Sequence, residues 1–322
     1  MKANPPLRVL VTGAGGFIGS NLATALAAQG HRVVGFDHFR SSNYANLAAF
    51  PGDILTPSPT ADDDCLDPVH RAIAADGPFH VIFHQASITD TTVTDQQQMM
   101  HNNVEQFRGI LKIAIETSAR IVWASSASIY GQNPAPNSES QPPNPLNVYA
   151  YSKLAMERLV ELHKPQLKQP VIGLRYFNVY GPGEDHKGKF ASMIHQLAKQ
   201  MRGGNRPRVF RAGQQKRDFV YIQDIIQANM LAMACPTTTV CNVGSGRPGS
   251  FNEVIAQLNK VLGTTLEPDY IENPYNFTQD HTEADLTHSR ATLGYNPQYN
   301  LERGISAYHA SGLLGTSTGM KV

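Results

Sequence analysis

At 322 residues the chain is long enough for one large core, and its 41% hydrophobic and 16% charged content is that of an ordinary globular protein, which excludes an intrinsically disordered chain. Lys and Arg number 27 against 26 Asp and Glu, a formal charge of +1, so no field of one sign exists to gather nucleic acid, and a small-molecule partner is expected. No apolar run approaches the roughly 18 residues of a membrane span, and Met1-Lys2-Ala3-Asn4-Pro5-Pro6 lacks the apolar core of a signal peptide, so the expectation is a cytoplasmic protein without membrane contact.

In chain order, Leu7 to Thr12 reads as a first strand, and Phe17 to Gln29 as a helix with Ile18, Leu22, Ala25 and Leu26 at helical spacing and Gly30 as its stop. Arg32 to Phe36 is a second strand. The segment Phe50 to Asp64 is rich in Pro, Asp and Thr and poor in apolar residues, so it is expected to be mostly loop where a further strand would otherwise stand. His80 to Phe83 reads as a strand, Met99 to Thr117 as a long helix and Ile121 to Ala124 as a buried strand, with about five strands in all before residue 130. The Pro-rich run Asn133 to Pro145 is a surface loop, followed by a helix from Tyr149 to His163. From Gly181 onward loops carry scattered helices at Phe190 to Arg202, Asp224 to Ala234 and Phe251 to Leu262, and the small polar tail Gly315 to Val322 is expected to fray. This alternation predicts an α/β fold with a doubly wound parallel sheet and a smaller C-terminal substrate-binding region. The expected division is residues 1–180, mainly dinucleotide-binding, and 181–322, mainly substrate-binding, with strands and helices exchanged between them. Cys65, Cys235 and Cys241 form no Cys-x-x-Cys pair, so neither a disulfide framework nor a metal site is expected.

The first strand-to-helix turn is Val11-Thr12-Gly13-Ala14-Gly15-Gly16-Phe17-Ile18-Gly19-Ser20, in which Gly13, Gly16 and Gly19 form G-x-x-G-x-x-G. The first glycine permits the tight turn, the second lets a pyrophosphate approach, and the third lets helix pack on strand, the Rossmann arrangement. A glycine pattern alone is weak evidence, but here strand, helix and a following acid agree. That acid is Asp37, at the end of the second strand, placed to accept both hydroxyls of an adenosine ribose, which favours NAD. Arg40 is close enough to serve the 2′-phosphate of NADP, or is a solvated loop charge; NADP stays open.

In Asn147-Val148-Tyr149-Ala150-Tyr151-Ser152-Lys153, Tyr149 and Lys153 lie four apart and share one helix face. A phenol has a pKa of ~10 in water and is a poor base near neutrality unless a cation favours the phenolate. Lys153, helped by a positive nicotinamide ring, would supply that bias. Upstream, Ala124-Ser125-Ser126-Ala127-Ser128-Ile129-Tyr130-Gly131 leaves a strand at its C-terminal end, the edge where open α/β sheets bind ligands, and Ser126 could hold a substrate hydroxyl beside Tyr149. A Tyr-x-x-x-Lys pair by itself is a common helix-surface pattern. Combined with the glycine cradle and the Ser-Ser-Ala strand end in this order, it resembles the extended short-chain dehydrogenase/reductase superfamily. By that resemblance Ser126, Tyr149 and Lys153 are catalytic.

The run Leu174-Arg175-Tyr176-Phe177-Asn178-Val179-Tyr180-Gly181-Pro182, followed by Glu184-Asp185-His186-Lys187-Gly188, resembles the ADP-glyceromannoheptose 6-epimerase family. So do Pro145-Leu146-Asn147-Val148-Tyr149, Lys216-Arg217-Asp218-Phe219-Val220-Tyr221, Asn242-Val243-Gly244-Ser245-Gly246 and Thr282-Glu283-Ala284-Asp285-Leu286. The resemblance implies that Lys187 is a second acid/base group, facing the substrate from the side opposite the tyrosine. Inverting a carbon that bears an unactivated hydroxyl is easiest by oxidation to a ketone, turning the carbonyl over and returning the hydride to its other face. One fixed base cannot reach both orientations. A phosphate contact is the plainer reading of Lys187, and a structural ion pair that of Arg217, which by the resemblance clamps a phosphate of the nucleotide diphosphate.

The resemblance further assigns Phe17, Ile18, His38, Gln85, Ala86, Ser87 and Asn103 to the cofactor. It assigns Thr89, Ser126, Asn178, Val179, Lys187, Lys189, Phe210, Arg217 and Thr278 to the substrate. There are departures. Asn43 stands where the family carries a lysine for the cofactor phosphate, which brings NAD forward. Lys189 stands where a serine is expected, Gln196 where a substrate-contacting histidine aligns, and Thr278 where a tyrosine stands. The expected activity is epimerisation of a nucleotide-diphosphate sugar through a transient ketone, in a homo-oligomer. The alternatives are a UDP-hexose 4-epimerase, another NAD(P)-dependent nucleotide-sugar reductase or dehydratase, and a catalytically silent dinucleotide-binding module.

Overall fold

The computed structural model describes residues 5–58, 65–272 and 280–316, which fall into two compact units. The first gathers residues 1–129, 145–175 and 228–241; the second gathers 130–144, 176–227 and 242–322.

The N-terminal elements are β1 (Arg8–Thr12), α1 (Phe17–Ala28), β2 (Arg32–Phe36), β3 (Asp53–Leu55), α2 (Asp67–Asp76) and β4 (Val81–His84). They are followed by α3 (Gln96–Met100), a π-helical turn His101–Glu105, α4 (Gln106–Thr117), β5 (Arg120–Ser126), α5 (Val148–His163) and β6 (Val171–Tyr176). The later elements are β7 (Asn178–Tyr180), α6 (Met193–Arg202), β8 (Arg208–Phe210), β9 (Lys216–Arg217), β10 (Phe219–Tyr221), α7 (Ile222–Ala232) and β11 (Thr239–Val243). The chain closes with β12 (Gly249–Ser250), α8 (Phe251–Leu262), β13 (Asp269–Ile271), α9 (Thr287–Leu293) and α10 (Leu301–Ala310).

Seven strands form the sheet of the first unit in the order β11-β6-β5-β4-β1-β2-β3, and the pairs from β5 across to β3 are parallel. The order reverses between β1 and β4, so the turns leaving those two strands flank the crevice where such sheets bind dinucleotides. The strands are short apolar runs because both faces are covered. Leu10, Ile82, Ile121 and Trp123 pack against Phe107, Ile110 and Leu111 of α4 and Met156, Leu159 and Val160 of α5.

The α/β expectation holds, and five strands precede residue 130. One of them, β3, lies inside the segment expected to be loop. It is a three-residue edge strand paired as Val34↔Asp53, Gly35↔Ile54 and Phe36↔Leu55. Two apolar residues in a Pro- and Asp-rich stretch are too few to show a period; the exposed backbone edge of β2 recruits them instead. The helix expected from Met99 begins earlier, at Gln96, where Asp95 accepts a capping bond from Gln98 N–H, and it continues through the π-turn. The helix expected from Phe190 begins later, at Met193, capped by Ser192.

The second unit is built of two-stranded pairs. β7 runs parallel to β10, β8 parallel to β13, and β9 antiparallel to β12. Its α8 opens with a full capping box between Ser250 and Glu253. No helix among the described residues is long and apolar enough to cross a membrane, and no group of His, Cys, Asp and Glu among them could hold a metal ion. The tail beyond residue 316 and Thr278 lie outside the described residues.

Candidate active site

In the first unit the glycine turn is closed by Gly13 N–H donating to Phe36 O at 2.8 Å and Gly16 N–H to Gly13 O at 3.0 Å. Gly13 has φ +68, and a Cβ there would stand 2.8 Å from Ala86 N; one on Gly19 would stand 2.0 Å from Gly13 O. Only glycine fits either place. The Gly16 N-cap gives α1 no side-chain cap, so the positive end of its dipole faces the turn, where it favours an anion.

Asp37 is 5% exposed at the end of β2. Its carboxylate accepts Gly15 N–H at 2.8 Å, Phe39 N–H at 2.8 Å and the Ser42 hydroxyl at 2.7 Å. The acid therefore ties the glycine turn to β2 and still has a lone pair for a ribose hydroxyl. It also places an anion where a 2′-phosphate would have to sit. Burial pushes the neighbouring His38 below the ordinary imidazole value, and Arg40 is exposed. Asn43 has a local duty: its side chain accepts Ala45 N–H at 2.9 Å as the cap of a short turn, which a lysine could not do. A glycine cradle with no room for a Cβ, an uncapped helix start and a buried acid together fit a dinucleotide with unmodified ribose hydroxyls.

The turn after β4 forms the other side of the crevice. Gln85 N–H donates to Thr12 O at 3.2 Å and Ala86 N–H to Thr12 Oγ1 at 3.3 Å, while the Gln85 amide reaches Asn229 Oδ1 at 3.2 Å. Asn103 is fully buried, donating to Ile88 O and Ser152 Oγ and accepting Ile88 N–H at 2.8 Å. It therefore braces the 85–89 turn against α5. Thr89 is exposed, and Phe17 is buried beside half-buried Ile18 at the start of α1.

Ser126, Tyr149 and Lys153 come together at the C-terminal end of β5. Asn147 caps α5 by accepting Ala150 N–H at 2.8 Å, which fixes Tyr149 in the first turn. The Tyr149 hydroxyl is hydrogen-bonded to Ser126; burial pushes the phenol upward and that bond pulls it back. Lys153 is 1% exposed, and its ammonium donates to Ser87 Oγ at 2.5 Å and Ala124 O at 2.7 Å. Burial brings it down to about 7. Lys153 Nζ lies 5.9 Å from the centre of the Tyr149 ring. The Lys153 ammonium is thus held by Ser87 and Ala124 beside the Tyr149 ring. Behind this group, Glu157 takes Ser125 Oγ at 2.7 Å and a bidentate fork from Arg175 at 2.9 and 2.7 Å.

In the second unit Lys187 stands on a 3-10 turn, Asp185–Phe190, that is kinked at Gly188 with φ 54. Lys187 N–H donates to Glu184 O at 3.0 Å, and burial pushes the half-buried amine downward while Glu184 pulls it up. Lys189 is exposed, its Nζ 4.9 Å from the Phe190 ring. Gln196 donates to Lys189 O and Ala191 O at 3.1 and 2.7 Å, so it braces this turn. Asn178 is exposed at the start of β7, where its N–H donates to Asp218 O at 3.0 Å, and Val179 follows it half-buried. The buried Asp218 carboxylate accepts Ser245 N–H, Ser245 Oγ, Gly246 N–H and Ala284 N–H at 2.5 to 2.9 Å, fixing the strand that carries Arg217. The Arg217 guanidinium lies 5.9 Å from the Phe251 ring and donates to Lys216 O. Phe210 ends β8, half-buried. Glu184, Asp218 and Glu157 were missed as supports in the sequence, although each stands within four residues of an expected site residue.

Comparison with known proteins places this geometry. The profile of the NAD dependent epimerase/dehydratase family matches residues 9–244. The ADP-L-glycero-D-manno-heptose-6-epimerase of Alkalilimnicola ehrlichii is 34% identical over 318 residues, covering 93% of this chain and 96% of that protein. The crystal structure of the Helicobacter pylori ADP-L-glycero-D-manno-heptose-6-epimerase is 37% identical with a TM-score of 0.86, covering 97% of this chain and 99% of its own. The Bacillus cereus UDP-glucuronic acid 4-epimerase, solved with UDP-glucuronic acid and NAD, is 27% identical with a TM-score of 0.81 over 94% of this chain and 98% of that one. With the glycine cradle, Asp37 and the Ser126, Tyr149 and Lys153 group all inside or beside the matched span, the chain belongs to the NAD dependent epimerase/dehydratase family.

Proposed function

We propose that the chain inverts a hydroxyl-bearing carbon of a nucleotide-diphosphate sugar, the substrate being an ADP-heptose as in its heptose-epimerase relatives, with Tyr149 and Lys187 as its two acid/base groups. The observation that carries the choice is Lys187, a half-buried amine held on a braced turn of its own and biased by burial toward the neutral form that can take a proton. Epimerisation of a hexose that swings about its phosphate bonds needs no such second group.

The glycine turn and the start of α1 would hold the pyrophosphate of NAD, and Asp37 its adenosine ribose. Bound NAD supplies the hydride acceptor and donor, and the positive charge of its oxidised ring favours a neighbouring phenolate. Ser126 hydrogen-bonds the substrate hydroxyl, Tyr149 exchanges its proton, and Lys153 holds the 85–89 turn through Ser87. Lys187 exchanges the proton at the same oxygen once the carbonyl has turned over, and Arg217 clamps a phosphate. This differential placement of two proton partners is the source of rate, of the order of 10²–10⁴ for each well-placed acid/base group.

The test is proton NMR of purified protein with ADP-heptose epimers and with UDP-hexoses. Inversion at C6 of the ADP-heptose, lost in both Tyr149→Phe and Lys187→Ala, supports the reading. Inversion of a UDP-hexose at C4 that Lys187→Ala leaves intact overturns it, and lasting consumption of free NAD(P)H would indicate a reductase.

A further inference from the structure

Glu184 is 0% exposed, yet its carboxylate faces donors on every side. Gly181 N–H and the Ser192 hydroxyl donate to Oε1 at 3.1 and 2.9 Å, Ser192 N–H donates to Oε2 at 2.5 Å, and the Tyr308 hydroxyl is a fourth partner. A carboxylate offers about four lone-pair sites, and a set made of donors alone is complete only for the ionised form. Burial raises Glu184 above the usual carboxylate value, and its backbone donors and the charges of Lys187 and His195 oppose that rise. Tyr308 has one proton to give. The Tyr308 oxygen is in turn hydrogen-bonded with His195 Nδ1, 2.8 Å away, and His195 Nε2 lies 3.2 Å from Asp185 Oδ1. Lys199 Nζ stands 3.7 Å from that same Asp185 oxygen.

The ends of this buried chain enclose one short turn. Glu184 and Asp185 lead into Lys187, and Gln196 holds the carbonyls just after it. The capping of α6 does not explain the acid, because Ser192 Oγ already accepts His195 N–H at 3.2 Å for that purpose. The remaining titratable groups near the cluster are Tyr180 on β7 and Tyr221 on β10, both held protonated by burial, together with His186 on the turn, which is bonded to Gly183 O at 3.0 Å.

We propose that Glu184 is the positioning residue of Lys187: its buried carboxylate fixes the turn and supplies the counter-charge that decides whether the amine carries a proton, with Tyr308 and His195 holding that charge in place. The role of the amine in turnover rests on the function proposed above; the coupling of the two charges is measured without substrate. Only a neutral amine is acylated, so the rate of Lys187 acetylation by acetic anhydride against pH, read by peptide mass spectrometry, reports its protonation. Glu184→Gln removes an opposite charge, which disfavours the ammonium, and its midpoint is expected about one pH unit lower than in the unaltered protein. Tyr308→Phe moves it the same way by less, the double variant moves it no further than Glu184→Gln, and Glu184→Asp restores it. Midpoints unchanged in both Glu184→Gln and Tyr308→Phe overturn the proposal. Should Glu184→Gln fail to fold, Tyr308→Phe alone decides in the same way. A shifted midpoint together with a fully active Lys187→Ala enzyme would instead overturn the proposed function and leave the charge coupling standing.

Discussion

His84 should make the first unit sensitive to acid. It is 2% exposed at the end of β4, and burial, with the charge of Lys153 behind it, lowers its imidazole from 6.5 to about 3. Thr12 Oγ1 is hydrogen-bonded with His84 Nδ1 at 2.9 Å, and the other ring nitrogen, Nε2, has no hydrogen-bond partner among the described residues. The unfolded chain takes up a proton as pH falls through 6.5, and the folded chain does not until near 3. Stability is therefore fully present above 6.5 and is lost progressively below it, by about 2 kcal/mol at pH 5 and about 4 kcal/mol by pH 3. The single tryptophan, Trp123, reports the event: it is 1% exposed and its ring lies tilted at 4.8 Å from Phe107, which itself lies 5.3 Å from the His84 ring. Urea unfolding followed by Trp123 fluorescence at pH 7.5 and pH 5 measures the loss, and with a slope of about 2 kcal/mol per molar the midpoint should fall by about 1 M from this residue. In His84→Gln the difference between the two pH values should shrink by that amount, whatever the variant's stability at pH 7.5. An undiminished difference would refute the argument that His84 is held neutral by burial.

Three other outcomes follow from the same geometry. Gly19→Ala places a methyl 2.0 Å from Gly13 O, where about 3.5 Å is needed, so turn and helix must part and NAD released on denaturation of the purified protein should fall well below that of the unaltered chain. Glu157→Ala leaves the Arg175 guanidinium buried without its bidentate partner and should destabilise the first unit by about 3–5 kcal/mol in the Trp123 assay, whereas exposed Glu161→Ala should change it by less than about 1 kcal/mol. Lys153→Met removes the cation that ties the 85–89 turn to β5 through Ser87 and Ala124; turnover and NAD retention should both fall, and retention unchanged would limit Lys153 to proton chemistry.

The sequence by itself determined what is local. A glycine pattern between an apolar run and an amphipathic helix fixes a turn whose backbone points at a ligand, and Tyr149 and Lys153 share a face because a helix repeats every 3.6 residues. Those constraints act within about twenty residues, so spacing reveals them. Tertiary structure decided what depends on partners distant in the chain. β3 exists because the edge of β2 accepts it, and Asn103 is a brace because Ile88 and Ser152 meet its amide. Lys153 ties α5 to Ser87 and Ala124, which stand 66 and 29 positions away in the chain. Glu184 and Asp218, plain acids in the sequence, become buried anions only when backbone N–H groups converge on them from several loops. The charge state of a side chain is set by what folding brings within a few ångströms of it, and that distance is not encoded in spacing along the chain.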